Sequence, residues 1–197
     1  MPKASRDPVQ TREKVIEAAS RQFRQHGYAG IGVSGIAKAA GVTTGALYDH
    51  FGSKDGAFAA ALDLGLQEVK EGLAAFQSQN GDQWLQAFVG YYLGTAHVQN
   101  GERLCAMTSM TPDIARASTA IRAAYQRDMD QIAQTMSNGL AGENRLERAW
   151  QILSCLVGAV TLARAMDQTV ELARSQSILQ TAHDTALAIA GDTVSVP

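Results

Sequence analysis

Apolar residues recur along this chain at helical spacing. Val15, Ile16, Ala19 and Phe23 form one stripe, which predicts a helix running to about His26 with Gly27 as its stop. Asp7-Pro8 supplies a capping side chain followed by a proline suited to the first helical position. A second helix is expected over about Val33 to Ala40, with Ile36, Ala37 and Ala40 inward and Gly32 as its cap. Gly41 ends it in a positive-φ turn filled by Val42. A third helix follows from about Thr43 to His50, with Leu47 and Phe51 at i and i+4 facing the core. Its opposite face carries Thr43, Thr44, Gly45, Ala46, Tyr48 and His50, which are small, hydroxylated or ring-bearing residues able to approach a nucleic-acid groove.

The pattern then lengthens. Ser53-Lys54 opens a helix to about Ser78, with Phe58, Leu62, Leu66, Val69, Leu73 and Phe76 along one side. After Gln79-Asn80-Gly81, Asp82 is expected to cap a helix carrying Trp84, Leu85, Phe88, Tyr91, Tyr92 and His97, which stops at Gln99-Asn100-Gly101. A short helix over Arg103 to Met107 comes next. Thr111-Pro112-Asp113 then opens a helix reading Ile114, Ile121, Tyr125, Ile132 and Met136 inward, as far as Asn138-Gly139. The helix from about Glu143 to Met166 is apolar on most sides in its second half and needs cover on two faces. The last, from about Val170 to Ala190, offers Leu172, Leu179, Ala182, Ala186 and Ile189, and the tail GDTVSVP is expected to be loose. The prediction is an all-α chain of about nine helices. Residues 1–53 would form a three-helix helix-turn-helix head, and residues 54–197 a larger lobe joined to it by the fourth helix.

Composition sharpens this picture. With 197 residues, 46% hydrophobic and 18% charged, the chain has the makings of a globular core. The net charge of −2 hides an asymmetry: residues 1–54 carry eight Lys/Arg against four Asp/Glu, whereas residues 55–197 carry nine against fifteen. A basic head on an acidic body suits a DNA-facing end and a second end with another task. Two cysteines, Cys105 and Cys155, make no disulfide framework and fit a reducing cytoplasm. The start, MPKASRDPVQ, shows no apolar signal core, and the run from Ala149 to Met166 is broken by Gln151, Ser154 and Arg164, as befits a buried helix rather than a membrane span. No nucleophile–base set, phosphate-cradling glycine loop or paired carboxylate stands out, so no catalytic residue, metal site or cofactor is expected. His183 and Asp184, adjacent on a helix, are expected on diverging faces.

The run IAKAAGVTTGALYDHFGSKDGAF resembles the signature of the TetR/AcrR family of bacterial transcriptional regulators nearly position for position. The resemblance is strong over about Thr11 to Phe58 and only architectural beyond. It implies a homodimeric, cytoplasmic, non-enzymatic regulator, most often a repressor, that binds palindromic double-stranded operator DNA and is released by a small-molecule effector. By resemblance, Thr43 and Tyr48 contact phosphates, Thr44 to Ala46 face base edges and His50 meets the backbone at the groove edge. Lys54 with the start of its helix makes an anion site. The family usually has a hydroxyl residue where this chain has Gly32, which leaves Ser34 or the helix amides to supply that phosphate contact. Asp49 replaces a frequent basic or aromatic residue and is expected to turn away and pair with a cation.

In the lobe, Trp84, Phe88, Tyr92, Cys105, Met107, Met110, Tyr125 and Met129 are individually core-like; as a set, and with the resemblance, they suit an adaptable pocket for a largely apolar effector. The segment LCAMTSMTPDIARASTAIRAAY is similar to a branch of the family in which a cysteine opens the sixth helix and some members sense electrophiles or oxidants, although Leu104 and Ala106 replace the Gly and Pro often found there. A redox-sensing Cys105 therefore stands as an alternative, with Arg103 and a helix start as the groups that would lower its pKa. A helical binding or catalytic protein with a coincidental helix pair, and a DNA-binding protein with a filled lobe, also stay open. For the dimer, Leu153, Val157, Gly158, Val160, Leu179, Ala182 and Ala186 are the expected interface, a four-helix arrangement of the last two helices from each chain.

Overall fold

The computed structural model describes residues 8–94, 97–98, 104–166 and 172–191, and these contain no strand. Asp7, the Gln99–Gly101 stop, Arg103, Val170 and the tail lie outside them. Helix α1 (Pro8–Gly30) is interrupted at Gly27, whose φ of 69° falls in the glycine-favouring region. Its inner stripe (Val15, Ala19 and Phe23) is fully buried. Helix α2 (Val33–Ala40) starts at Gly32 without a side-chain cap and ends in Gly41 at φ 67°. There the Gly41 N–H donates to Lys38 O and the Val42 N–H to Ala37 O at 2.9 Å, the paired bonds of a Schellman turn. That turn sets the direction of α3 (Thr44–Phe51). Phe23, Tyr28 and Phe58 close the head core with ring centroids 5.0–6.0 Å apart.

Helix α4 (Lys54–Asn80) runs from the head into the lobe and packs on α1 and on the helix over Thr119–Asn138. A 3₁₀ turn (Gly81–Gln83) follows, so Asp82 lies inside the turn and does not cap α5 (Trp84–Tyr92). Helix α6 (Ala106–Ser109) and α7 (Thr111–Ile114) are single turns. The expected long helix from Thr111 is therefore split. The Thr111 hydroxyl donates to Met107 O at 2.6 Å instead of capping, and Ser118 accepts from the Ile121 N–H to start α8 (Thr119–Asn138) afresh.

Helix α9 (Arg145–Ala165) is long and apolar enough to cross a membrane by composition, yet it packs between α8 and α10 (Leu172–Ala190). Two arginines tie its ends. The buried Arg148 donates to Ala141 O and Ala190 O. Arg164 donates to Val98 O, Thr108 Oγ1 and His97 O at 3.1, 2.7 and 2.7 Å. Across the lobe, Lys70 of α4 meets Asp128 of α8 at 3.0 Å, and the Trp84 indole N–H donates to Gly139 O at 3.0 Å.

Candidate nucleic-acid interface and junction groove

Helix α3 has two unlike faces. Leu47 is fully buried and fixes the helix on the head core, while Thr43 Oγ1 caps it by accepting the Ala46 N–H at 3.2 Å. On the outer face Thr44, Gly45, Tyr48 and Asp49 are exposed, and Ala46 and His50 are half-buried. Tyr48, 50% exposed, is a large ring with no hydrogen-bond or ring partner among the described residues. A Cβ at Gly45 would meet only Thr43 Oγ1, at 3.8 Å. The fold itself therefore does not require glycine there, and its helix-propensity cost of about 1 kcal/mol relative to alanine goes uncompensated within the chain. Asp49 is exposed and makes no ion pair among the described residues.

Flanking α3, Ser34 is exposed in the first turn of α2. At the start of α4, Ser53 Oγ accepts the Gly56 N–H at 3.0 Å, and Lys54 Nζ lies 4.2 Å from the centre of the Tyr28 ring. The Tyr28 hydroxyl donates to Asp55, which pushes its pKa up to about 12.

A groove of about 500 Å³ lies where α1, α4, α5 and the Leu104–Ala106 segment meet. Its lining is apolar at Val69, Leu73, Phe76 and Phe88 and carries polar groups at Ser20, Arg24, Tyr91, Tyr92, His97 and Cys105. Of the eight residues expected to line a pocket, Phe88, Tyr92 and Cys105 reach it. Trp84, Met107, Met110, Tyr125 and Met129 do not. Trp84 is spent on Gly139, Tyr125 shares a 3.0 Å hydrogen bond with Thr111 Oγ1, and the methionines are buried in the core.

Ser20 and Arg24 escaped the sequence reading, and His97 was placed there only on the helix after Asp82, with no polar role. The available signal was Gly65 and Gly72, seven residues apart on α4, both of which line the groove. A Cβ at Gly65 would fall 2.6 Å from the Ala106 Cβ and 2.8 Å from Arg24 Nη2. Only glycine there lets Arg24 cross α4, where it donates to Glu68 Oε2 at 2.6 Å and to Leu104 O at 3.2 Å.

Burial pushes the Cys105 thiol up, although the Tyr92 hydroxyl donates to its sulfur at 3.6 Å. That environment holds the neutral thiol, the opposite of an activated thiolate. Burial, with the Arg164 charge behind it, depresses His97 to about 4. Among the described residues no group of three His, Cys, Asp or Glu side chains converges on a metal position. His183 and Asp184, expected to diverge, lie 3.1 Å apart on the surface of α10.

The expected dimer residues divide. Leu153, Val160, Ala182 and Ala186 are buried within the single chain, because α8 and α10 themselves supply much of the cover that the apolar α9 requires. Val157, Gly158 and Leu179 are half-buried, and Leu162 and Leu172 are the large apolar side chains left exposed on these two helices beyond Leu146.

The described residues form a helix-turn-helix head on an all-α lobe. Residues 15–61 match the model of the bacterial regulatory proteins, tetR family. The chain is 39% identical over 82 residues to the HTH-type transcriptional regulator BetI of Stenotrophomonas maltophilia, a match covering 42% of this chain and 41% of that one. It is 45% identical over 65 residues to the regulator TtgR of Pseudomonas putida, over 33% and 30% of the two chains. These alignments thus span less than half the length of the curated relatives. The fold extends further: a TetR-family regulator from Cytophaga hutchinsonii superposes with a TM-score of 0.78 at 19% identity, over 97% of this chain and all of that one. Residues 15–61 thus carry the tetR-family sequence pattern, and the fold of the remainder is shared with TetR-family structures.

Proposed function

We propose that the chain is a homodimeric repressor, released from a palindromic operator by a small, largely apolar effector. The observation that carries the DNA reading is the outer face of α3, with an exposed tyrosine and a glycine that its own fold does not require. In this reading residues 1–53 bind DNA and residues 54–197 bind effector and partner, with no catalytic step. Thr44, Gly45 and Ala46 approach base edges while Thr43, Tyr48, His50, Lys54 and Ser34 hold phosphates. The unfilled space over Gly158, together with Leu162 and Leu172, marks the face that meets a second copy.

Fluorescence anisotropy with a fragment from the gene's own upstream region tests this. Tyr48→Phe and Lys54→Ala should each weaken binding several-fold without altering the oligomeric state, and Lys54→Ala should reduce the salt slope by about one. Unchanged affinity in both variants would remove these contacts from the proposal.

A further inference from the structure

Three residues that line the groove each bury a polar atom without a hydrogen-bond partner among the described residues: Ser20 Oγ, Arg24 Nε and His97 Nε2. Ser20 is 3% exposed and His97 8%. Leaving such a group unpaired is costly in a folded protein, so a convergence of three is a feature to be explained. Ser20 and Arg24 stand one turn apart on the same face of α1, and both offer donors. His97 packs against Tyr92 and Tyr91 with ring centroids 4.5 and 5.4 Å away, on the aromatic side.

The charges around this end are already balanced. Arg24 meets Glu68 at 2.6 Å and Arg21 meets Glu17 at 3.9 Å, and all four residues border the groove. A ligand carboxylate would compete with Glu68 for Arg24 and would carry its own desolvation cost into an otherwise compensated site. The unspent donors need an acceptor, not a charge.

We propose that the groove binds a flat apolar compound bearing one neutral oxygen acceptor, whose body lies against Phe76, Phe88 and Tyr91 and whose oxygen accepts from Arg24 Nε–H and the Ser20 hydroxyl. This deepens the reading of the chain as an effector-released regulator and rests on it. Because both donors belong to α1, the ligand acts on a helix of the head itself. Arg24 also spans from α1 to Glu68 and Leu104, so the side chain that reads the ligand is one that fastens head to lobe. By linkage, operator and ligand must then shift each other's affinity by the same factor.

The test is calorimetric titration of the full chain with three probes sharing one body: 2-acetylnaphthalene, 2-ethylnaphthalene and 2-naphthoate. Wild type should bind the ketone about tenfold or more tighter than the ethyl compound, the factor expected for hydrogen bonds to a buried charged donor. It should also bind the ketone tighter than the carboxylate. Ser20→Ala should cut the ketone's advantage several-fold and leave the ethyl compound's affinity in place, and Arg24→Lys should do the same where thermal melting shows it folded.

Equal affinity for ketone and ethyl compound, tightest binding of the carboxylate, an equal loss for both neutral probes in Ser20→Ala, or no binding by wild type would each overturn the proposal. Operator anisotropy runs alongside as a separate arm. Probe binding without operator binding would sink the regulator reading and leave the groove chemistry standing; operator binding without any probe binding would do the reverse.

Discussion

Two of the contacts between head and lobe are built differently. At the end of α1, the carboxylate of Asp113 accepts the Tyr28 backbone N–H at 2.7 Å beside the Gly27 kink. Asp113 is largely withdrawn from water, and a Cβ at Gly27 would sit 3.2 Å from its Oδ2. One partner is main chain, so little can rearrange. One turn earlier, Arg24 reaches Glu68, a residue 52% exposed, and borders the groove with its Nε unspent. Both partners there are long side chains and one end is open to solvent. The difference separates a fixed pivot from an adjustable strap, and it places the adjustable one where a ligand has access.

Substitutions can break that contrast. The largest effect is expected from Gly65→Leu, which drives a side chain into Ala106 and Arg24; it should destabilise by at least the about 1–3 kcal/mol typical of overpacking, read from denaturant unfolding. Asp113→Ala should cost about 2 kcal/mol, because it leaves a partly buried N–H without its charged acceptor. If Asp113→Ala proves as mild as a surface change, the pivot reading fails.

His97 supplies a pH test of the groove side. Its pKa is lowered from 6.5 to about 4 in the folded chain, so the unfolded chain binds the extra proton first as pH falls. The contribution from its neutral form is complete above about pH 6.5 and is lost on acidification toward 4. His97→Phe should flatten that part of the stability profile, and an unchanged slope would mean that the imidazole is not held neutral. The smallest effect belongs to Glu68→Gln, within about 1 kcal/mol, as for other ion pairs open to water. A loss matching that of Asp113→Ala would erase the distinction between strap and pivot.

The head was largely legible in the sequence because its determinants are local. Gly41, Val42, Leu47 and Ser53 specify a turn, a cap and a buried face within thirteen residues, and each occupies the expected place, while Thr43, expected as the first residue of its helix, caps it instead. The groove was not, since its walls come from residues as far apart as Ser20, Gly65 and His97. Periodicity tells which side of a helix is apolar. It does not tell which apolar side a neighbour fails to fill, so Trp84 and Met110 looked as available as Phe88. The same ambiguity misplaced half of α9's expected interface: Leu153 and Val160 face the interior of their own chain. At the other end of the lobe, Ser118 took over the role expected of Thr111 because the Thr111 hydroxyl was already committed to Met107.

In the proposed homodimer, helix α4 would also act as a lever. Its 27 residues, at about 1.5 Å each, make an arm of roughly 40 Å. A tilt of only about 5° at the lobe end swings the far end by about 3.5 Å, close to one base-pair step along a DNA strand. In a two-fold pair the displacements add to roughly two steps. An angular change too small to disturb the packing of any single side chain would thus put two heads out of register with successive turns of a duplex.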